Sequence, residues 1–384
     1  MGMDVDGLDA RLRTWRRDIH AHPELSYGER RTTEVVAKHL ESLGLSPRRL
    51  AGTGVICDVG SGEGRGRIAL RADLDALAID EETGLDFASG NPGVMHACGH
   101  DAHTAMVMGA AEILAAADRE GRCPPARLVF QAAEETVPGG ALDAIDGGAL
   151  DGVERIFALH VDPTIPVGEL GVIEGPITSS NALVTVNLRG AGGHTARPHR
   201  TADLGFALGQ VLTALPAVLD RRLDPRSATV LTWGKIEAGE APNSIPASGS
   251  ARGTLRSADV DVWAKAEDLV RESLGSILAP WRVDWDLDYV QGVPPVVNDA
   301  DGVAALVAAA EGVARVVPTH QSSGGEDFAW YQRTVPGAMA RLGVSGPGAA
   351  GGGTADLHRP DFDLDESALI IGARVLAGAV LGFL

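Results

Sequence analysis

The chain has 384 residues, 45% of them hydrophobic, and 33 Lys and Arg against 52 Asp and Glu give a formal net charge of −19. That length exceeds one ordinary domain and suits two with substantial cores, while the acidic balance excludes a phosphate-backbone partner, which needs a basic face. Met1 to Asp9 is polar and acidic, later apolar runs fall short of the roughly 18 residues of a bilayer span, and Cys57, Cys98 and Cys123 form no disulfide framework, so the expectation is a cytoplasmic, unanchored protein with reduced thiols.

Apolar residues at helical spacing predict helices over 9–20 (Leu12, Trp15, Ile19) and 29–43 (Val35, Val36, Leu40, Leu43), the second closed by Gly44. His20 and His22 lie between them, and loop histidines beside a proline are more often structural than ligands. Residues 54–59 and 67–70 read as strands. The glycine-rich 60–66 lacks phosphate-binding spacing and a following Lys-Ser/Thr, so it reads as a hairpin turn. The densest chemistry follows: His96, Cys98, His100 and His103 fall within eight residues, on a predicted strand-to-helix loop ahead of a helix over 104–117. A short strand over 127–131 runs directly into Ala132-Ala133-Glu134-Glu135, a helix through 141–145 follows, and a strand over 155–160 ends in His160. Strands and helices in alternation, with candidate ligands at strand ends, predict an α/β domain with a mainly parallel sheet flanked by helices.

Near residue 180 the pattern changes. Strands over 182–188, 229–233, 248–255 and 283–290, with helices over 202–219 and 262–278, follow the β-α-β-β-α-β order of a small two-layer α+β domain. Beyond it come a helix over 302–317, a glycine-acidic loop at Gly324-Gly325-Glu326-Asp327, a strand near 338–342, a loose loop over 343–355 and a final helix from Glu366. The expected organisation is a catalytic, metal-binding domain of residues 1–180 and 294–384, with 181–293 inserted.

Cys98 and His100 are suited to zinc or a similar divalent ion, and Glu134, Glu135, His160 and His358 offer the further carboxylate and imidazole donors. Singly, each signal is indifferent: a lone buried cysteine usually acts as a small hydrophobe, and a strand-end histidine is usually a satisfied core residue. Their recurrence at strand ends points to a metal centre. Adjacent glutamates point in different directions, so one can bind metal while the other faces substrate as general base; the competing reading is a solvated acidic turn.

At this point the residues resemble a known family, the metal-dependent N-acyl-amino-acid amidohydrolases: the aminoacylase, hippurate hydrolase and auxin-conjugate hydrolase group of metallopeptidase-like enzymes. The resemblance runs nearly the whole length, through Arg16-Arg-Asp-Ile-His-Ala-His-Pro-Glu-Leu-Ser26, Leu70-Arg-Ala-Asp-Leu-Asp-Ala-Leu77, Met95-His-Ala-Cys-Gly-His-Asp-Ala-His103, Phe130-Gln-Ala-Ala-Glu-Glu135, Gly193-His-Thr-Ala-Arg-Pro-His199, Asn243-Ser-Ile-Pro246, Gly253-Thr-Leu-Arg256, Gly324-Gly-Glu-Asp-Phe328 and Leu357-His-Arg-Pro360. It implies two divalent ions, zinc or manganese with cobalt or nickel as further options, bound by Cys98, His100, Glu135, His160 and His358. It makes Glu134 the general base toward metal-activated water and Asp73 the carboxylate that orients the site. It implies a homodimer, or a higher oligomer, formed through the inserted ferredoxin-like lid domain. In that dimer His194 and Asn243 reach the partner's site to stabilise the oxyanion, and Arg256, with Gly325 alongside, binds the substrate carboxylate. Ala132 replaces a usual proline, and Ser244 a usual valine; neither change removes a reacting group. The implied activity is cleavage of an N-acyl-amino acid, or a related amide, to a carboxylate and a free amino acid. Dipeptidase or carboxypeptidase action on short peptides is the enzymatic alternative, and a non-catalytic metal-containing binding dimer the other. A zinc nucleobase deaminase is disfavoured, because no His-x-Glu pairs with Pro-Cys-x-x-Cys.

Overall fold

Strands Arg67–Asp73 and Ala126–Gln131 are buried at nearly every position, as a strand must be when helices cover both faces of its sheet. The computed structural model describes residues 5–62, 66–350 and 355–382. The chain divides into two units: Met1–Ile177 with Val297–His320 and Asp327–Leu384, and Thr178–Val296 with Gln321–Glu326.

The first unit holds a sheet ordered Arg48–Arg49, Val55–Val59, Ala126–Gln131, Arg67–Asp73, Val153–Pro166, Gly337–Ser345, Glu169–Val172, Arg315–Pro318. The middle four strands are parallel, but Val55–Val59 joins Ala126–Gln131 antiparallel and Glu169–Val172 joins Gly337–Ser345 antiparallel. The sheet is therefore mixed where the sequence predicts a mainly parallel one. Glu169–Val172 follows Val153–Pro166 after two residues, a connection that turns the chain back and leaves no room for the helical crossover a parallel strand needs. The predicted hairpin is also wrong, because Ala126–Gln131 lies between Val55–Val59 and Arg67–Asp73. A seven-residue connection reaches roughly 20 Å, enough to step over one intervening strand at about 5 Å per strand spacing. The predicted loose loop over 343–355 falls partly outside the described residues, and its first three residues belong to strand Gly337–Ser345.

Helices Val5–His20, His100–Arg119 and Ala368–Leu381 pack on one another, their apolar stripes meeting in a single core with the sheet. His100–Arg119 starts earlier than its apolar spacing suggests, because Gly99 turns left-handed at φ 81 and puts His100 in the first turn. The predicted helix over 302–317 stops at Ala310: Glu311 turns extended, Gly312 takes φ 69, and the β-branched Val316 and Val317 enter the edge strand Arg315–Pro318.

In the second unit, strands ordered Val230–Ala238, Ser248–Ser257, Ser180–Arg189, Asp284–Gln291 are antiparallel throughout. Ala182, Val184, Val186 and Leu188 alternate inward from one strand onto helices Leu204–Arg222 and Val260–Leu278. Segment Gln321–Glu326 returns to this unit, with Ser179 N donating to Gly324 O at 3.0 Å.

Candidate metal centre

Three separate stretches of the first unit converge at the carboxyl ends of its parallel strands, where an α/β sheet collects ligands. The turn ahead of His100–Arg119 brings Cys98 and His100, the strand Ala126–Gln131 runs on into Glu134 and Glu135, and His160 sits at the middle of Val153–Pro166, not at a strand end as the sequence predicts, because pairing with Gly337–Ser345 carries the strand on to Pro166. Cys98 Sγ lies 3.6 Å from His160 Nε2. The ligand atoms of Cys98, His100 and His160 lie within 4.8 Å of one another, as do those of Cys98, Glu135 and His358, and those of His100, Glu134 and Glu135. All five ligands expected from the sequence are thus gathered around Cys98, with Glu134 at their side. Gly99 permits the approach, since a Cβ there would lie 2.5 Å from Val161 Cγ2.

The histidines face the cluster for identifiable reasons. His100 Nδ1 donates to Asp75 O at 2.8 Å and His160 Nδ1 to Val161 O at 2.7 Å, which leaves each Nε2 aimed inward. This is how outer hydrogen bonds fix the tautomer of a ligating imidazole. His100 Nε2 and Glu135 Oε1 are buried without a hydrogen-bond partner. Glu135 Oε1 does lie 3.3 Å from the more exposed His358 Nε2. Buried orphan donors and acceptors of this kind call for an ion or water, and the set of one thiol, three imidazoles and a carboxylate fits a borderline divalent cation.

The electrostatics agree. Burial, reinforced by Glu135 and Asp73 against the opposing pull of His100, pushes the Cys98 thiol up to about 12. Burial would lower the His100 imidazole, but Asp73, Cys98 and Asp75 hold it well above its usual range. Both protons are ones that metal binding displaces. His160 is pushed well below its usual range by burial and by Arg341 and His103, so it is neutral, as a ligand must be.

Asp73 is fully buried. Its Oδ1 accepts from His103 Nδ1 at 2.7 Å and its Oδ2 from Arg71 at 2.6 Å, while His100 Nε2 is 3.7 Å away. His103 also accepts from Val161 N at 3.0 Å, so both of its ring nitrogens are engaged and it supports the site without ligating. His96 is buried with neither nitrogen hydrogen-bonded, and burial lowers it to about 4. Arg71 continues the network to Gln131 at 2.9 Å and Asp327 at 2.8 Å.

Two carboxylates that sequence reasoning passes over, Asp75 and Glu29, bond the backbone of the turn that carries Glu134 and Glu135. That turn begins at Ala133, held left-handed at φ 55, which costs an L-residue about 1–2 kcal/mol. The signal for Asp75 is its place two residues past Asp73 at a strand end. Glu29 gives none beyond its place ahead of a helix.

The remaining predicted residues belong to the second unit. His194 is exposed on the short strand Gly193–His194, opposite Ser244, and its Nδ1 accepts from Ala196 N at 3.0 Å. Asn243 O accepts from Thr195 N at 3.3 Å, which puts Asn243 beside His194. Arg256, partly buried near the end of Ser248–Ser257, donates to Ser323 O, two residues from Gly325.

A family model described as peptidase family M20/M25/M40 matches residues 69–382. A protein of Rhodococcus jostii named putative glutamate–cysteine ligase 2-3 is 57% identical over 376 residues, which make up 96% of this chain but 46% of that protein; the chain spans about half of that relative's length. N-acetylcysteine deacetylase of Bacillus subtilis is 36% identical over 375 residues, covering 96% of this chain and 95% of the relative. Among solved structures, the Bacillus subtilis YXEP protein, described as a dinuclear metal binding peptidase from the M20 family, superposes with a TM-score of 0.85 at 33% identity, covering 99% of each chain.

Proposed function

The chain belongs to peptidase family M20/M25/M40, and on that premise we propose that it is a metal-dependent amidohydrolase cleaving N-acyl-amino acids, or related amides, to a carboxylate and a free amino acid. The observation that carries the reading is the gathering of Cys98, His100, Glu135, His160 and His358 around buried unpaired donor atoms, with Glu134 alongside.

Those five residues would hold two divalent ions, zinc or manganese, which when bound polarise the scissile carbonyl and lower the pKa of water. Glu134 Oε2 lies 4.0 Å from His100 Nε2, at the rim of the cluster. From there it takes a proton from the attacking water and delivers it to the departing amine nitrogen. Asp73 keeps His103 and Arg71 in place behind the ligands. His194 and Asn243 of one protomer stabilise the oxyanion in its partner's site, and Arg256, with Gly325 beside it, binds the substrate carboxylate. Residues 181–293 serve as a ferredoxin-like lid and dimerisation domain in a cytoplasmic homodimer. Val230 and Ile236, exposed on Val230–Ala238 at the edge of its sheet, support a second copy there.

Relatives named N-acetylcysteine deacetylase favour acyl-amino acids over peptides as substrates. The test is to strip the purified protein of metal, restore zinc, manganese or cobalt, and compare turnover of N-acetyl-cysteine, other N-acyl-amino acids and dipeptides. Glu134→Gln should lower kcat by about 10²–10⁴-fold with metal content unchanged. Wild type without metal-dependent amide hydrolysis, indistinguishable from Glu134→Gln, would leave the binding dimer as the surviving reading. Preference for a free α-amino group on the acyl side would make it a dipeptidase.

A further inference from the structure

We propose that Asp75 and Glu29 are positioning residues that aim the Glu134 and Glu135 side chains, by holding the three successive backbone amides of Ala133, Glu134 and Glu135 as a carboxylate clamp. The inference rests on the reading of Glu134 as general base and Glu135 as ligand. It assigns the residues that fix where those two point.

The geometry is specific. Asp75 Oδ1 accepts from Glu134 N and Oδ2 from Glu135 N, both at 3.0 Å, and Oδ2 also accepts from Ser26 Oγ at 2.7 Å. Glu29 Oε1 accepts from Ala133 N at 2.8 Å and Oε2 from Thr53 Oγ1 at 2.6 Å. Asp75 is 1% exposed and Glu29 fully buried. The strand Ala126–Gln131 has ended two residues earlier, so these amides have left the sheet ladder, and buried N–H groups without partners are rarely tolerated. Left-handed Ala133 is a conformation that persists only where its surroundings enforce it.

The clamp is itself anchored away from the ligands. Glu24 accepts from the amides of Arg31 and Thr32, both at 2.9 Å, at the start of helix Arg30–Ser42, and its O accepts from Ala76 N at 2.8 Å. Segment 24–29 is thereby tied both to that helix and to the residue next to Asp75. Side-chain direction at Glu134 and Glu135 follows from backbone direction. A base displaced by an ångström loses much of its effect, so this anchoring bears on kcat more than on KM.

The two carboxylates differ in a way that makes the proposal testable. Both Asp75 oxygens face backbone N–H groups, so an amide there must set one NH2 against a donor. Glu29 faces one N–H and one hydroxyl, and a glutamine can keep Oε1 on Ala133 N while its NH2 donates to a reoriented Thr53 Oγ1. Asp75→Asn should lower kcat about 10–100-fold with KM within twofold, and weaken cobalt(II) binding to the apo-protein about 10–100-fold. The Cys98 thiolate–cobalt absorption should still develop at saturation.

Asp75 Oδ1 also lies 3.4 Å from His100 Nδ1, so Glu29→Ala supplies the arm free of ligand contacts. It should lower kcat about tenfold, and Glu29→Gln should restore it to within about threefold of wild type. Wild-type kcat and cobalt affinity in Asp75→Asn, or a Glu29→Gln no better than Glu29→Ala, would overturn the clamp. Should Asp75→Asn fail to fold on thermal unfolding of the apo-protein, Ser26→Ala keeps the carboxylate and removes only its hydroxyl donor. A kcat loss of several-fold is then expected, and none would count against the proposal. Absence of hydrolysis in wild type would sink the functional reading alone, because cobalt affinity still reads the clamp.

Discussion

Arg16, Arg71, Asp73, Asp75, Asp101 and Asp327 in the first unit are each at most 3% exposed, and each is hydrogen-bonded to side-chain or backbone groups from elsewhere in the chain. The second unit buries Val184, Val186, Val211, Leu215, Val270 and Leu274, and among its described residues Glu326, 4% exposed, is the one buried charged side chain. One region spends burial on holding charges at fixed places, and the other on an aliphatic layer that leaves nearly all of its described charged residues outside. Burying a charge is costly unless it is paired, so the first arrangement makes geometry rigid. The second leaves His194 exposed on a short strand, free to meet a group that arrives from elsewhere. On the proposed reading, Glu134 and the metal-binding groups lie in the charge-rich unit and His194 on the aliphatic one.

Substitutions can break this contrast. Arg16→Met leaves Asp101, Asp363 and Glu366 without the guanidinium that bonds them at 3.0, 2.7 and 3.3 Å, and should cost about 3–5 kcal/mol in denaturant unfolding. Wild-type stability would mean that the network is decorative. His194→Ala tests the other unit. It should lower kcat by about 10²–10³-fold with no change in unfolding or metal content, and a wild-type rate would remove it from catalysis.

The smallest effect is in pH. Burial would depress His20, but Asp101 and Glu81 raise it from 6.5 to about 9, so protonated His20 stabilises the fold fully below about pH 6.5, and this is lost as pH rises through 9. Between those values wild type should lose roughly 2–3 kcal/mol more than His20→Gln does, as read from unfolding midpoints across pH. Parallel profiles would show that His20 is neutral throughout.

The candidate donors that the structure brings together were legible in the sequence because few residue types can hold a metal: Cys98, His100, Glu135, His160 and His358 stand out by type. Asp75 and Glu29 do not, because their partners are backbone amides, which every residue carries. Sheet order was legible only where helical crossovers force it. Nothing local in 54–70 reveals that Ala126–Gln131 will come between the two strands. Apolar spacing carried the predicted helix past Ala310, since Val316 and Val317 satisfy helix and strand patterns alike, and tertiary pairing with Glu169–Val172 decides between them.

The ion-pair link from Arg16 to Asp363 and Glu366 has a consequence for biogenesis. The helix Val5–His20 is made before the rest of this fold, yet its buried guanidinium has no full set of partners until nearly 350 residues later, and the candidate donor cluster lacks His358 until about then. Most of the second unit, with contacts drawn largely from 178–296, can close while the first is still waiting. Such long-range closure is slow and leaves apolar strands exposed meanwhile. The proposed metal site is accordingly complete only once the segment carrying His358, Asp363 and Glu366 has reached helix Val5–His20.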